Sequence, residues 1–289
     1  MGAVCQAGDV HVDPSARGEH ALHSRPVDPR VIDDSQLARL AGSRFAEVLQ
    51  LPETTSTNLV LLGRALEGAP EGLVVVADYQ SAGRGRFDRR WESPPGTSLL
   101  FSVLLRPSDR DLPAPRRHLA LSAMALAVKE AAWTVATTHV EVKWPNDLIA
   151  DDRKLAGILA EAGAEGVLVV GAGVNVAWAP EGPAATHLSA LSGRTIERGE
   201  LLVESLLALE RLYGRWGVVS QQYKQACCTV GREVIVELGG DVPPLRGRAV
   251  DVDDDGRLVV RDTRGRLVTV AAGDVTHLHA GHAPSLSQQ

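Results

Sequence analysis

The chain has 289 residues, 44% hydrophobic and 23% charged, with a formal net charge of −6. That is the composition of a folded protein long enough for about two domains, and its acidic balance gives nucleic acid no general electrostatic attraction. Three cysteines, Cys5, Cys227 and Cys228, cannot build a disulfide framework and point to a reducing compartment.

Residues 1–30 mix Gly, Pro, His, Asp and Arg without periodicity and are expected to be a disordered tail. No secretory signal is visible there. A first helix is expected to start at Asp34 or Ser35 and to run through Leu37, Leu40 and Ala41. A second should follow Ser56, Thr57 and Asn58, carry Leu59, Leu62, Ala65 and Leu66, and stop with Gly68 in the C′ position.

Residues 73–77 and 98–105 read as buried strands, and a long helix should follow Pro115. Strands at 140–144, 147–150, 154–161 and 167–176 are separated by turn signals at 151–153 and 163–166, which predicts an antiparallel meander. The most apolar of these runs is broken by glycines, so no membrane-spanning segment is expected, and a cytoplasmic protein is. A helix over 198–216 closes this part. The order of elements predicts an α+β fold, a mixed and mainly antiparallel sheet with flanking helices, rather than a doubly wound one. After Cys228, short strands at 229–238, 245–252, 257–262 and 266–270 alternate with Gly, Asp and Pro turns, the pattern of a small β-barrel. The expected organisation is a tail to residue 30, a main domain over 31–226, a barrel over 227–280 and a second disordered tail over 281–289.

Chemistry concentrates in three segments. In the first, Arg84, Arg86, Arg89 and Arg90 are interleaved with Gly83 and Gly85 ahead of Trp91. Glycines let backbone N–H groups approach a ligand, and arginines offer planar forks to carboxylate and phosphate. The others contain Lys143, Trp144, Pro145, Asn146 and Asp147, then Lys154 to Leu159. Together they could hold a carboxylate and a polyphosphate at once. An unlike pair at about 4 Å gains roughly 4 kcal/mol before desolvation at an effective dielectric near 20. The first segment is neither a dinucleotide fingerprint nor a Walker loop.

Taken singly, each feature also has a structural explanation. Ser56 to Asn58 can be a helix cap, Lys154 a solvated strand end, Gly171 and Gly173 close strand packing, and Trp91 and Trp144 core or rim residues. His277 and His279 alternate on one strand face without zinc-like partners. Cys227 and Cys228 lack an evident base.

The combination resembles the biotin–protein ligases, also called holocarboxylase synthetases. The matching elements, in the family's order, are Ser56-Thr57-Asn58, Gln80, Gly83 to Arg86, Trp91, Lys143 to Asp147, Lys154 to Glu161, and Gly171 to Asn175. The resemblance covers roughly residues 45–280. It implies a catalytic fold like that of class II aminoacyl-tRNA synthetases, followed by a Src-homology-3-like barrel. It also implies a C–N bond-forming ligase: biotin and ATP give biotinyl-5′-adenylate, and the biotinyl group passes to a lysine on a biotin carboxyl carrier domain of a carboxylase.

By the same resemblance, Ser56, Thr57, Asn58 and Gln80 line the biotin pocket, with Gly83, Arg84, Gly85, Arg86, Trp91, Lys154 and Gly157. Arg84, Arg86 and Lys154 act in catalysis. Lys143, Asn146 and Asn175 meet ATP, with the turn of Gly171 to Gly173 on the nucleotide side, and Asp147 meets Mg²⁺ through phosphate. Thr186 and Leu188 belong to a second loop that covers the adenylate. A homodimer is compatible with the sequence. No room for an N-terminal DNA-binding domain is seen, so a ligase without a repressor function is expected, with no DNA partner. Three alternatives stay open: a lipoate or octanoate ligase of the same fold group, a non-enzymatic biotin-responsive binding protein, and a homologue with a dead site.

Overall fold

The computed structural model describes residues 30–87, 89–239, 242–271 and 273–278. The two expected tails lie outside the described residues, Arg30 apart, and so does His279. In chain order the elements are α1 (Asp34–Ala38), β1 (Val48–Thr54), α2 (Thr57–Leu66), β2 (Val74–Gln80), β3 (Gly83–Arg84), β4 (Arg90–Trp91), β5 (Ser98–Leu105) and α3 (His118–Ala136). There follow β6 (Glu141–Lys143), β7 (Asp147–Ala150), β8 (Arg153–Ala162), β9 (Leu168–Asn175), α4 (Leu188–Ser192), α5 (Arg198–Leu212) and α6 (Trp216–Ala226). The last part holds β10 (Glu233–Glu237), β11 (Leu245–Val252), β12 (Leu258–Asp262), β13 (Leu267–Val270) and β14 (Asp274–His277).

Seven strands form one sheet in the order β1-β2-β5-β9-β8-β7-β6. Only β1 and β2 run parallel; every other pairing is antiparallel. Side chains alternate between faces along a strand, and this period divides the sheet. Val74, Val76, Leu99, Phe101, Val103, Val170, Ala172, Val174, Ala156 and Ile158 join the main core with α3 and α5. Leu73, Val75, Leu104, Val167 and Val169 point the other way, against Leu61 of α2. Gly157, Leu159 and Glu161 of β8, Gly171 and Gly173 of β9 and Ser102 of β5 follow this second phase. The α2 face of the sheet is therefore where polar and glycine positions gather.

The segment Ala114–Ala136 is long and apolar enough by composition to cross a membrane. Its apolar residues are the main core: Leu119, Ala123, Met124, Ala127, Val128 and Ala131 are buried.

Three sequence expectations change. The first helix stops at Ala38, and its N-cap is Asp33, which accepts from Gln36 N while Gln36 returns a bond to the cap. Strand β1 was not foreseen, because Pro52 interrupts its alternation. The helix expected over 198–216 ends at Leu212 as α5, Gly214 takes φ +82°, and α6 over Trp216–Ala226 was not foreseen.

The C-terminal strands form an antiparallel sheet in the order β13-β12-β11-β10-β14, consistent with a Src-homology-3-like barrel. Val234, Val236, Leu258, Val260 and Val270 are its buried centre. It docks on the segment between β6 and β7. Trp144 N donates to Thr229 Oγ1 at 3.1 Å, Trp144 Nε1 donates to Gly256 O at 2.8 Å, and Thr229 Oγ1 meets His277 Nε2 at 3.0 Å.

Candidate active site

One cavity of about 120 Å³ opens on the α2 face of the sheet. It gathers Ser56, Thr57, Asn58, Gln80, Arg84, Gly85, Arg86, Trp91, Asn146, Asp147, Lys154 and Gly157, together with Arg89, Arg90, Gly171, Gly173 and Asp274.

Its floor is a buried polar chain at the N-terminus of α2. Ser56 occupies the N-cap with extended backbone but makes no side-chain capping bond. Gln80 replaces it: its Oε1 accepts from Thr57 N at 2.8 Å and lies 3.0 Å from Thr57 Oγ1. Thr57 Oγ1 meets Ser102 Oγ at 2.7 Å, and Ser102 donates to Asn58 Oδ1 at 2.6 Å. Asn58 Nδ2 donates to Leu159 O and to Glu161 Oε2, at 3.3 and 2.8 Å. This network fixes which way the Asn58 amide points. Thr57, Asn58 and Ser102 are all buried. Their uncharged groups suit a neutral polar ligand head.

The floor is open because two glycines carry no side chain. A Cβ on Gly171 would stand 2.3 Å from Asn58 Oδ1 and 2.8 Å from Ser102 Oγ. Gly173 pairs with Gly157 across β8 and β9, and the indole of Trp91 lies over both. Gly171 to Gly173 lie in the interior of β9, within the strand expected over 167–176, and not in the turn that the resemblance implies. Trp91 Nε1 is buried and finds no hydrogen-bond partner among the described residues.

The rim is cationic. Strands β3 and β4 make a hairpin in which Gly83 pairs with Trp91 and Arg84 with Arg90. Arg84 Nη1 donates to Glu161 Oε1 at 2.7 Å. Arg86 Nη1 donates to Gly273 O at 3.2 Å and to Asn146 Oδ1 at 3.4 Å. Arg89 pairs with Asp274, so the C-terminal domain also contacts the hairpin. Burial lowers the Arg86 pKa, with Asp147 opposing the shift. Lys154 Nζ lies 2.7 Å from Asp147 Oδ1 and 5.8 Å from the centre of the Trp91 ring. A cation–π contact at such a partly exposed site is worth about 0.5–1 kcal/mol.

Some expected site residues do not line this cavity. Gly83 sits beside it, where a Cβ would meet Trp91 O at 2.4 Å. Lys143 pairs with Asp147 across β6 and β7; burial lowers its pKa, Asp147 opposing the shift and Lys154 adding to it. Asn175 is buried and its Nδ2 donates to Thr186 O at 3.0 Å. The segment around Thr186 nevertheless runs along the site's lysine: Lys154 N donates to Ala184 O at 2.8 Å and Thr186 N to Lys154 O at 2.9 Å. Leu188 is fully buried at the start of α4.

Among the described residues no group of three or more His, Cys, Asp or Glu side chains could hold a metal ion. Asp147 offers one carboxylate in the cavity, and magnesium is commonly held by one or two carboxylates plus substrate phosphates.

The structure adds Ser102, Glu161 and Asp274 to the site. Glu161 ends the matched Lys154 to Glu161 element, and that was the only available signal. Ser102 sits in an apolar strand and Asp274 in another domain, so neither had one.

Two family models match the chain: the biotin/lipoate A/B protein ligase family over residues 49–175, and the biotin protein ligase C terminal domain over residues 229–278. The chain is 38% identical over 262 residues to the biotin–[acetyl-CoA-carboxylase] ligase of Mycobacterium tuberculosis, covering 88% of this chain and 96% of that one. Its fold is similar to a mutant biotin protein ligase from Aquifex aeolicus in complex with biotin, with TM-score 0.67, 26% identity, and coverage of 82% and 100%. It is also similar to the biotin protein ligase of Leishmania major in complex with biotinyl-5-AMP, with TM-score 0.57, 25% identity, and coverage of 78% and 99%.

Proposed function

The chain belongs to the biotin protein ligase family, and from that premise we propose how its cavity joins biotin to a protein. The observation that carries the reading is the division of one cavity into a neutral polar floor and a cationic rim. Biotin has the matching halves, an uncharged ureido ring and a carboxylate.

The floor takes the ring. Ser56 brings a hydroxyl that capping does not use. Gln80 commits its carbonyl to Thr57, which leaves its amide N–H groups as what it can offer a ligand. An analogue lacking the ring's polar groups would leave buried partners unpaired, and such sites discriminate strongly.

The rim takes the charge. The biotin carboxylate oxygen attacks the α-phosphorus of ATP, forming the mixed anhydride and releasing pyrophosphate. Arg84, Arg86 and Lys154 counter the charge that gathers between two anions, in a site preorganised for it. Asn146 and Lys143 serve the phosphate side, Asn175 the nucleotide side through the Ala184 to Thr186 segment. Magnesium arriving with ATP would meet Asp147 and neutralise phosphate charge. In the second step a lysine amine of the acceptor attacks the anhydride carbonyl, loses its proton, and AMP leaves. The acceptor is a biotin carboxyl carrier domain of a carboxylase.

ATP–pyrophosphate exchange with the purified protein tests this. Exchange with biotin alone, out of biotin, lipoate and octanoate, is expected. Exchange with lipoate would move the assignment to the lipoate ligases, and none with any acid would leave a binding protein.

A further inference from the structure

We infer that Glu161 is a positioning residue of this site: one carboxylate holds Arg84 at the cavity's rim and Asn58 in its floor. Its Oε1 accepts from Arg84 Nη1 at 2.7 Å and its Oε2 from Asn58 Nδ2 at 2.8 Å. The three residues come from separate elements, β3, α2 and β8, so the carboxylate ties together parts that local structure does not.

The hairpin needs such a tie. Arg84 pairs through its backbone with Arg90, inside a two-stranded sheet separate from the seven-stranded one. Side chains therefore carry the hairpin's attachment at the cavity. Arg86 and Arg89 reach the C-terminal domain, and Arg84 reaches Glu161 on the main sheet. Glu161 is the better-shielded partner, its side chain 18% exposed against 46% for Arg84. A guanidinium has five N–H donors, so the fork that Glu161 orients keeps donors for a ligand anion. On the floor, the Asn58 amide is held at both ends, by Ser102 on Oδ1 and by Leu159 O and Glu161 on Nδ2. Glu161 thus sets the place of the anion and of the neutral head with one rigid group. What Arg84 meets rests on the biotin ligase reading; the tether itself does not.

Glu161→Gln separates the two halves. The amide oxygen still accepts from Asn58, while the N–H₂ faces Arg84 and the ion pair is lost. The full chain without ligand is digested with trypsin under native conditions, and cleavage at Arg84, Arg86, Arg89 and Arg90 is followed by mass spectrometry. Cleavage there should rise roughly three- to fivefold, the scale of an ion pair with one half-exposed partner, with an unchanged melting transition. In exchange assays the KM for biotin should rise, and kcat should fall no further than it does in Arg84→Gly. Unchanged cleavage in the hairpin overturns the inference. So does cleavage rising along the whole chain with a lower melting transition, which would mark a general structural role. Glu161→Ala, losing both contacts, should exceed Glu161→Gln in KM. If the wild-type protein fails to exchange pyrophosphate with biotin, the functional reading falls, and the digestion still decides the role of Glu161.

Discussion

The indole of Trp91 lies so close to Gly173 that a Cβ at that position would stand 2.7 Å from Cε2 and 3.0 Å from Cδ2. A rigid ring cannot yield as a flexible side-chain end can. Gly173→Ala must push Trp91 off the sheet, and with it the surface that Lys154 faces. Overpacking of this kind costs about 1–3 kcal/mol of folding stability, and a Trp91 displaced from the cavity wall should also lower kcat/KM for biotin. Steady-state exchange kinetics check it, and a value equal to wild type would refute the packing argument.

Lys154 is paired with Asp147 on the cavity wall. If its ammonium stabilises the charge formed at adenylation, Lys154→Ala should slow that step by roughly 10²-fold or more. Single-turnover formation of the adenylate measures it. A near-normal rate would remove Lys154 from the transition state.

Arg84 faces the cavity from a hairpin rather than from the main sheet. Arg84→Gly should therefore weaken retention of the adenylate more than its formation. The readout is biotinyl-adenylate recovered in the filtrate after the enzyme is removed. No increase over wild type would count against a retaining role.

His118 begins α3 and packs under the C-terminal hairpin, where a Cβ on Gly256 would lie 2.1 Å from its Cδ2. Its Nδ1 faces Pro115 O at 3.3 Å, while Nε2 is buried with no partner among the described residues. Burial lowers its pKa from 6.5, the Pro115 contact and then Asp255 and Asp253 opposing. The unfolded chain therefore binds the proton more readily than the folded one. Stability is full above the unfolded value and declines as pH falls through about 6.5 towards the lower folded value. His118→Gln should flatten that part of the stability–pH curve, as read by denaturant melts between pH 7 and pH 5. An unaltered slope would place the titration elsewhere.

The parts of the fold that were legible are those whose signals are local. The meander from β6 to β9 announced itself through apolar runs and through the Asp151–Asp152 turn, where both residues take positive φ. The parallel pairing of β1 with β2 had no such signature, since a partner across α2 is not written in either strand. The break between α5 and α6 rested on Gly214 alone. At the site, Arg84, Arg86 and Lys154 stood out because charge beside glycine or at a strand start is conspicuous. Ser102 and Glu161 did not, because their meaning depends on register: Ser102 stands opposite Gly171, and Leu159 faces it from the other side. The glycines of β9 were visible within an expected strand, but only the sheet shows that they form the cavity floor.

The peptide groups of Lys154 are bonded on both sides to the segment from Ala184 to Thr186, and Asn175 holds the same segment from the end of β9. That short zipper means the lysine cannot be exposed or reset one amide at a time. Opening the 184–186 segment would release the Lys154 and Thr186 amides in a single event, so the two should share one hydrogen-exchange rate. A nucleotide that stills this segment would slow both together and steady the ammonium that faces the other substrate. Order at one end of the reaction centre would thereby become order at the other.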